Sequence, residues 1–365
     1  MTAFDPAIYR DPHAVATLCD AILKTASRPC RLMEMCGGQT HALLKFGVDE
    51  LLREKVTFIH GPGCPVCVTP AGTIDKAIQI ARQPETILTT YGDMLRVPGT
   101  MQSLAQARAD GADVQIVYSS LDALNLARTH PDRQVVFFAI GFETTAPANA
   151  VALLQAESLK LDNFSLLCSQ FRIPPALTSI LEQPERPLDG FLAAGHVCAV
   201  MGTGEYHGIS RKYQVPISVT GFEAVDLLLG VYQLVQALES RSYQVSNAYG
   251  RTVNAEGNPA AKALIDKVFE PCDRDWRGIG TIPASGWRLK DQFADYDADK
   301  RYILNEFCQE ASSPCIAGEV LQGVKTPFDC PAYGHLCTPE NPLGATMVSS
   351  EGTCAAYYRY RGVRR

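Results

Sequence analysis

The chain contains no run of apolar residues near the roughly 18 to 20 that a bilayer-spanning helix requires, so an integral membrane protein is not expected. Its opening residues, Met1-Thr2-Ala3-Phe4-Asp5-Pro6, lack the basic stretch and apolar core of a secretory signal, so export is not expected either. There is no G-x-x-x-x-G-K-[ST] loop, which argues against nucleotide hydrolysis. The net charge is −6 and the only dense basic segment is the tail from Arg359 to Arg365, a poor fit to a nucleic-acid partner. These absences leave a cytoplasmic globular protein. Its 365 residues, 46% of them hydrophobic, suffice for a large core in two or three domains.

Against these absences stand thirteen cysteines. In a reducing compartment thiols stay free, so metal ligation or redox chemistry is a better expectation than disulfide stapling. Their placement separates them into groups. Cys36 lies in Cys36-Gly37-Gly38-Gln39-Thr40-His41, and Cys64 and Cys67 lie in Gly61-Pro62-Gly63-Cys64-Pro65-Val66-Cys67. Cys308, Cys315, Cys330, Cys337 and Cys354 crowd the last sixty or so residues. Cys19, Cys30, Cys168 and Cys198 sit in apolar surroundings and read as small buried hydrophobes.

From about residue 30 to 221 the chain repeats one theme: a short apolar run rich in β-branched or aromatic residues, a small or polar turn, then a helical pattern. The expected strands are 31–35, 56–60, 86–91, 114–118, 135–140, 164–168, 190–195 and 216–220. Strands alternating with helices predict parallel βαβ units in an α/β fold. The reading adopted is two small doubly wound parallel-sheet domains, 25–128 and 129–224, split near His130-Pro131-Asp132 and flanking a cleft. Residues 225–365 are then a C-terminal mixed domain, with residues 1–24 packed on it. Helices are expected over Glu223 to Leu238, Ala260 to Val268 and Asp299 to Glu310, and a strand within Tyr243 to Val253.

Open parallel sheets bind ligands beyond the carboxyl ends of their strands. Those ends carry Cys36, the Gly61 to Cys67 turn, Tyr91-Gly92-Asp93, Gly141-Phe142-Glu143-Thr144-Thr145, Gly195-His196 and Thr220-Gly221. Cys64 and Cys67 are spaced either for a redox dithiol or for two metal ligands, and Thr69-Pro70 suits the start of a helix whose dipole would lower a nearby thiol pKa. Cys36, beside two glycines that permit close backbone approach, reads as reactive or metal-binding, with His41 able to orient it.

At the rear, Cys315-x14-Cys330-x6-Cys337-x16-Cys354 supplies four thiolates in a glycine- and proline-rich setting with little periodic core pattern. Four thiolates suit an iron–sulfur cluster or a tetrahedral zinc. The close knuckles usual in zinc sites are missing, which tilts the expectation toward [4Fe–4S] and a small domain stabilised by its metal centre. Cys308 reads as core and Cys272 as a substitute ligand.

These segments resemble the HypD family, the scaffold proteins that help build the Fe(CN)2CO unit of [NiFe] hydrogenases. The likeness is carried by the two front motifs, Gly141 to Pro147, Gly195 to Gly202, Trp276 to Gly280, Cys330, Cys337-Thr338-Pro339 and Met347 to Cys354. The resemblance implies a cleft between two α/β domains and a third domain holding a [4Fe–4S] cluster on Cys315, Cys330, Cys337 and Cys354. It implies iron and redox chemistry at Cys36, Cys64 and Cys67, with the Fe(CN)2CO iron as cargo. It also implies work with a HypC-like chaperone, and cyanide arriving from HypE, which HypF loads. On that reading Cys36 holds iron jointly with HypC, while His41, Thr144, Thr145 and His196 donate hydrogen bonds to cyanide and Glu143 and Glu351 move protons. A monomer before complex formation is the simplest expectation. The rival readings are a ferredoxin-linked dithiol reductase and a zinc-stabilised interaction module.

Overall fold

The computed structural model describes residues 6–183, 188–305 and 313–363. Its eleven named strands are β1 Cys30–Glu34, β2 Val56–His60, β3 Thr86–Thr90, β4 Val114–Ile116, β5 Gln134–Gly141, β6 Phe164–Phe171, β7 Gly190–Ala194, β8 Ile217–Thr220, β9 Val245–Asn247, β10 Phe269–Trp276 and β11 Gly280–Leu289. The first eight coincide with the expected runs to within a few residues. Strands β3, β6, β7 and β8 are buried at every position, as parallel strands covered by helices on both faces must be. Their polar members are small or hydrogen-bonded: Thr89 donates to the Val136 carbonyl at 3.0 Å and Ser218 to Gln233 at 2.9 Å.

The strands form two sheets. One is all parallel, in the order β2-β1-β7-β8-β9; the other runs β10-β11-β6-β5-β3-β4, parallel from β6 to β4 and antiparallel where the β10–β11 hairpin joins. The α/β expectation holds, but the expected partition of strands does not. A cut near His130 would separate β3 and β4 from β5, yet β3 lies hydrogen-bonded between β4 and β5. The chain instead leaves the first sheet after β2, completes most of the second, and returns at β7. Local periodicity marks each strand but carries no information on which distant strand it pairs with.

Residues beyond 225 are likewise divided between the sheets. Strand β9 extends the first, and the β10–β11 hairpin, absent from the sequence reading, extends the second. Its burial alternates along β10, and Pro271 and Gly286 break up the pattern that would have marked it. Trp276, 1% exposed, ends β10 against the rings of Phe171 and Phe142 at 5.0 and 5.9 Å. The helix Pro12–Thr25 packs on the helix Ala224–Glu239, and both close one face of the first sheet. Of the expected packing of residues 1–24 on residues 225–365, this contact with the helix Ala224–Glu239 is the part seen here.

In the described part of the expected helix over Asp299 to Glu310, Ala298–Arg301 is helical and irregular chain follows to Asn305; residues 306–310, with Cys308, lie outside the described residues. Residues 313–363 contain little regular structure beyond Ala317–Leu321 and Thr353–Tyr360. They pack around a small cluster that includes Val320, Ala332, Tyr333, Cys337, Met347 and Cys354. The Arg361–Asp49 ion pair ties this segment to the first sheet's side. Arg96, donating to the carbonyls of Pro339 and Val348 at 2.8 and 3.0 Å, ties it to the second. Among the described residues no helix is long and apolar enough to cross a membrane.

Candidate functional site

Each sheet has one place where the chain's direction of winding reverses, and the two places face each other. In the first sheet the reversal lies between β1 and β7, whose ends lead into Cys36 and His196. In the second it lies between β3 and β5, whose ends lead into Tyr91-Gly92-Asp93 and Gly141-Phe142-Glu143-Thr144-Thr145. A cavity of about 710 Å³ occupies the space between, and the 349–351 segment closes one side. Cys36, Thr144, Thr145, His196 and Glu351 all line it. Five of the expected site residues, far apart in sequence, therefore share one cleft.

Cys36 is 3% exposed and its sulfur lies 3.8 Å from Nε2 of His196. Burial, and then the Glu351 carboxylate, push its thiol well above the ordinary cysteine range. Desolvation of the anion outweighs the backbone N–H groups of Gln39 and Gly38 that oppose it. His196 stacks on Phe222 at 5.0 Å, and burial lowers its pKa to about 4, so the imidazole is neutral at physiological pH.

The backbone around Cys36 is held by a residue the sequence reading passed over. Glu34, fully buried at the end of β1, accepts from the Cys36 N–H at 2.9 Å, from the Thr40 hydroxyl and from Nδ1 of His60 at 2.9 Å. A lone acid inside Leu32-Met33-Glu34-Met35 was the available signal, since a buried carboxylate needs donors to compensate its lost hydration.

Cys64 and Cys67 are bonded to each other, and both are buried. Cys64 caps the single-turn helix Pro65–Val68, its sulfur accepting from the Cys67 N–H at 3.3 Å. The expected helix at Thr69-Pro70 begins one residue later, as Ala71–Ala81 with Pro70 at its cap. Gly63, Pro65 and Val66 reach the cleft surface, while the disulfide lies in the core beside Cys36, Phe142 and Val197. The two front loops interlock: Gly37 N–H donates to the Gly63 carbonyl at 3.0 Å, and a Cβ on Gly63 would stand 2.2 Å from the Cys36 nitrogen.

The remaining expected residues divide. The Thr145 hydroxyl lies 3.1 Å from both the Phe142 carbonyl and Oε1 of Gln170, so the cleft wall engages it. Glu351 is exposed at the cleft edge, and desolvation by its surroundings, followed by Asp93, raises its pKa. His41 is not in this cleft. It lines a neighbouring pocket of about 330 Å³ with His196 and Glu351, and its ring bridges the Ser350 carbonyl at 3.2 Å and the Tyr360 hydroxyl at 3.0 Å. Glu143 is also absent from the cleft surface: it points behind the wall, where Oε1 accepts from the Ile173 N–H at 2.8 Å. Burial raises its pKa to about 7.

The four rear thiols are near enough that Cys315, Cys330 and Cys337 each perturb the ionisation of Cys354. The Thr346 hydroxyl donates to Cys354 at 3.1 Å and the Leu343 N–H to Cys337 at 3.3 Å, the kind of support a sulfur-ligated centre uses. Among the described residues no three His, Cys, Asp or Glu side chains converge tightly enough to hold one metal ion. Cys272 is not among the four; it lies on β10 with the Arg274 guanidinium 3.7 Å from its sulfur. Cys19, Cys30, Cys168 and Cys198 are buried as expected.

Comparison with known proteins bears on this arrangement as a whole. The HypD family profile, described as "Hydrogenase formation hypA family", matches residues 13–361. The hydrogenase maturation factor HypD of Escherichia coli (strain K12) is 47% identical over 365 residues, covering 97% of each chain. HypD of Azotobacter vinelandii is 46% identical over 361 residues, covering 96% of this chain and 95% of that one. HypD2 of Bradyrhizobium diazoefficiens is 44% identical over 362 residues, again 96% and 95%. On matches of that extent, the chain belongs to the HypD family and is a hydrogenase maturation factor.

Proposed function

We propose that this chain is a cytoplasmic scaffold on which the Fe(CN)2CO unit of a [NiFe] hydrogenase is assembled, with iron as cargo held by Cys36 jointly with a HypC-like partner. The observation that carries the reading is a free thiol lining the cleft between the sheets, 3.8 Å from a neutral imidazole and beside a Cys-x-x-Cys disulfide. Electron-rich iron bearing cyanide and carbon monoxide favours soft ligands, and thiolate is the softest the protein has. Metal binding would displace the Cys36 proton, overcoming the burial that favours the neutral thiol. His196 and Thr144 stand in the cleft wall as donors toward cyanide nitrogen, and Glu351 as a proton-exchanging group.

Cyanide is proposed to arrive on a HypE-borne thiocyanate, with HypF upstream. Its release breaks the sulfur–carbon bond and consumes two electrons and one proton. Oxidation of the Cys64 and Cys67 thiols to the disulfide supplies two electrons and two protons, and one proton is left over. Cys315, Cys330, Cys337 and Cys354 would hold a [4Fe–4S] cluster, which when bound supplies one-electron redox chemistry.

The test is an infrared spectrum of the protein purified anaerobically with its HypC-like partner, beside a Cys36→Ala control. Iron-bound cyanide and carbon monoxide bands in the wild type, and none in the variant, are expected. Equal bands in both would remove Cys36 from the centre of the scheme. No bands in either, from an intact complex, would favour the dithiol reductase.

A further inference from the structure

The loop that follows β8, Gly221-Phe222-Glu223, carries an aromatic ring that the proposed chemistry has not used. Phe222 is partly buried, and its ring stacks on the His196 imidazole at 5.0 Å with 22° between the planes. The same ring lies against the first turn of the helix Gly37–Lys45, which starts beside Cys36. A Cβ on Gly38 would stand 3.3 Å from two of the ring carbons and 3.5 Å from the Cys36 sulfur. The loop is pinned from two sides. Arg10 grips the Glu223 carboxylate through two nitrogens, and Arg251 grips the fully buried Asp226 through two more at 2.6 Å each. A side chain at 221 would run into Asp226 and the Tyr249 ring, so the chain is closely packed there as well.

His196 has no comparable hold of its own. Among the described residues its ring makes one hydrogen-bonding contact, from Nε2 to the Cys36 sulfur at 3.8 Å, and nothing engages Nδ1. A functional histidine commonly takes its orientation from a hydrogen bond at the second nitrogen; here the face of Phe222 is left to supply it. The stacked pair also stands between two cavities. The Cys36 cleft and the neighbouring pocket of about 330 Å³ share only His196 and Glu351 in their walls, and Phe222 lines that pocket without reaching the cleft. We propose that Phe222 is a positioning residue, whose ring holds the His196 imidazole against the Cys36 thiol and between the two cavities. Leucine would cover the same apolar neighbours, but only a flat ring offers the imidazole a face to stack on. In this orientation the Cys36 S–H donates to Nε2. The inference rests on the function proposed above only in giving His196 a task at whatever Cys36 binds.

The S–H stretch of a thiol falls where a protein's infrared spectrum is nearly empty, and it moves to lower frequency when the thiol donates a hydrogen bond. The measurement is the difference spectrum of the reduced full chain against its Cys36→Ala counterpart, with neither cargo nor partner. One Cys36 S–H band is expected. His196→Ala should move it to higher frequency, Phe222→Leu should move it most of that way, and the double variant should add nothing to His196→Ala. Phe222→Tyr, which keeps the flat face, should leave the band at its wild-type position. A merely structural role would lower stability without moving the band. An unmoved band in Phe222→Leu, or in His196→Ala, would overturn the proposal, as would shifts that add in full in the double variant. If Phe222→Leu does not fold, Arg10→Ala, at a side chain 57% exposed, releases the loop from outside and should shift the band in the same direction; an unmoved band there would overturn the proposal too. Missing iron–cyanide bands beside an S–H band that behaves as expected would strike the assembly scheme alone, and the reverse pattern would strike Phe222 alone.

Discussion

Gly63→Ala is the sharpest perturbation of the site that adds only one methyl group. Gly63 has an ordinary backbone conformation, so the consequence is steric alone. Its new Cβ would lie 2.2 Å from the Cys36 nitrogen, 2.3 Å from the Cys36 Cα and 2.4 Å from the Met35 carbonyl carbon. All three are backbone atoms, so no side chain can swing aside, and ordinary contact requires the Cys36 loop to retreat by about 1 Å. Overpacking of this kind costs about 1–3 kcal/mol. A displacement of about 1 Å at a reacting group costs about 10²-fold in rate. The variant should therefore unfold earlier in urea, at unchanged m-value, and bear iron–cyanide bands too weak to detect beside the wild type. The control is Gly208→Ala, on the helix Gly204–Tyr213 with nothing within 4 Å of the new Cβ. It should gain about 0.5–1 kcal/mol from helix propensity and keep full bands. Wild-type stability and band intensity in Gly63→Ala would refute the claim that the two front loops set the position of Cys36.

Three further outcomes follow from the same geometry. Glu34→Gln replaces an acceptor of three hydrogen bonds by a group that must present N–H to at least one of those donors; it should cost about 1–3 kcal/mol in urea unfolding, and a neutral result would mean the cluster does not hold the Cys36 loop. Glu143 has a folded pKa of about 7, above its ordinary 4.5, so its contribution to stability is fully present below about pH 4.5 and is lost as pH rises through about 7. Wild type should thus lose up to about 3 kcal/mol relative to Glu143→Gln between about pH 4.5 and pH 8, and parallel stability curves would contradict the buried carboxyl. Anaerobically purified protein should be brown and contain iron and sulfide, and Cys354→Ser should abolish the colour; stoichiometric zinc in a colourless preparation would favour the zinc module.

The cleft residues were legible because their signals are local. Cys36, His196, Thr144 and Thr145 each follow an apolar strand at a turn of glycine or hydroxyl residues, and a parallel strand declares itself by its own composition. Glu143 carried the same signal and pointed the other way, because it lies in a tight turn closed by the Thr145 N–H to Phe142 carbonyl bond, and which side chain such a turn sends inward is not set by its neighbours in sequence.

The sequence by itself determined the α/β class, the eight parallel strands and the turn chemistry gathered at their ends, because these depend on residue periods of two and 3.6 within short windows. Only the tertiary structure decided that β3 and β4 join β5 and β6 while β7 to β9 return to β1 and β2. That pairing brings Cys36 to His196 across 160 residues. Strand partnership is chosen by the burial of whole faces and by long-range backbone hydrogen bonding, which no local window of the chain contains.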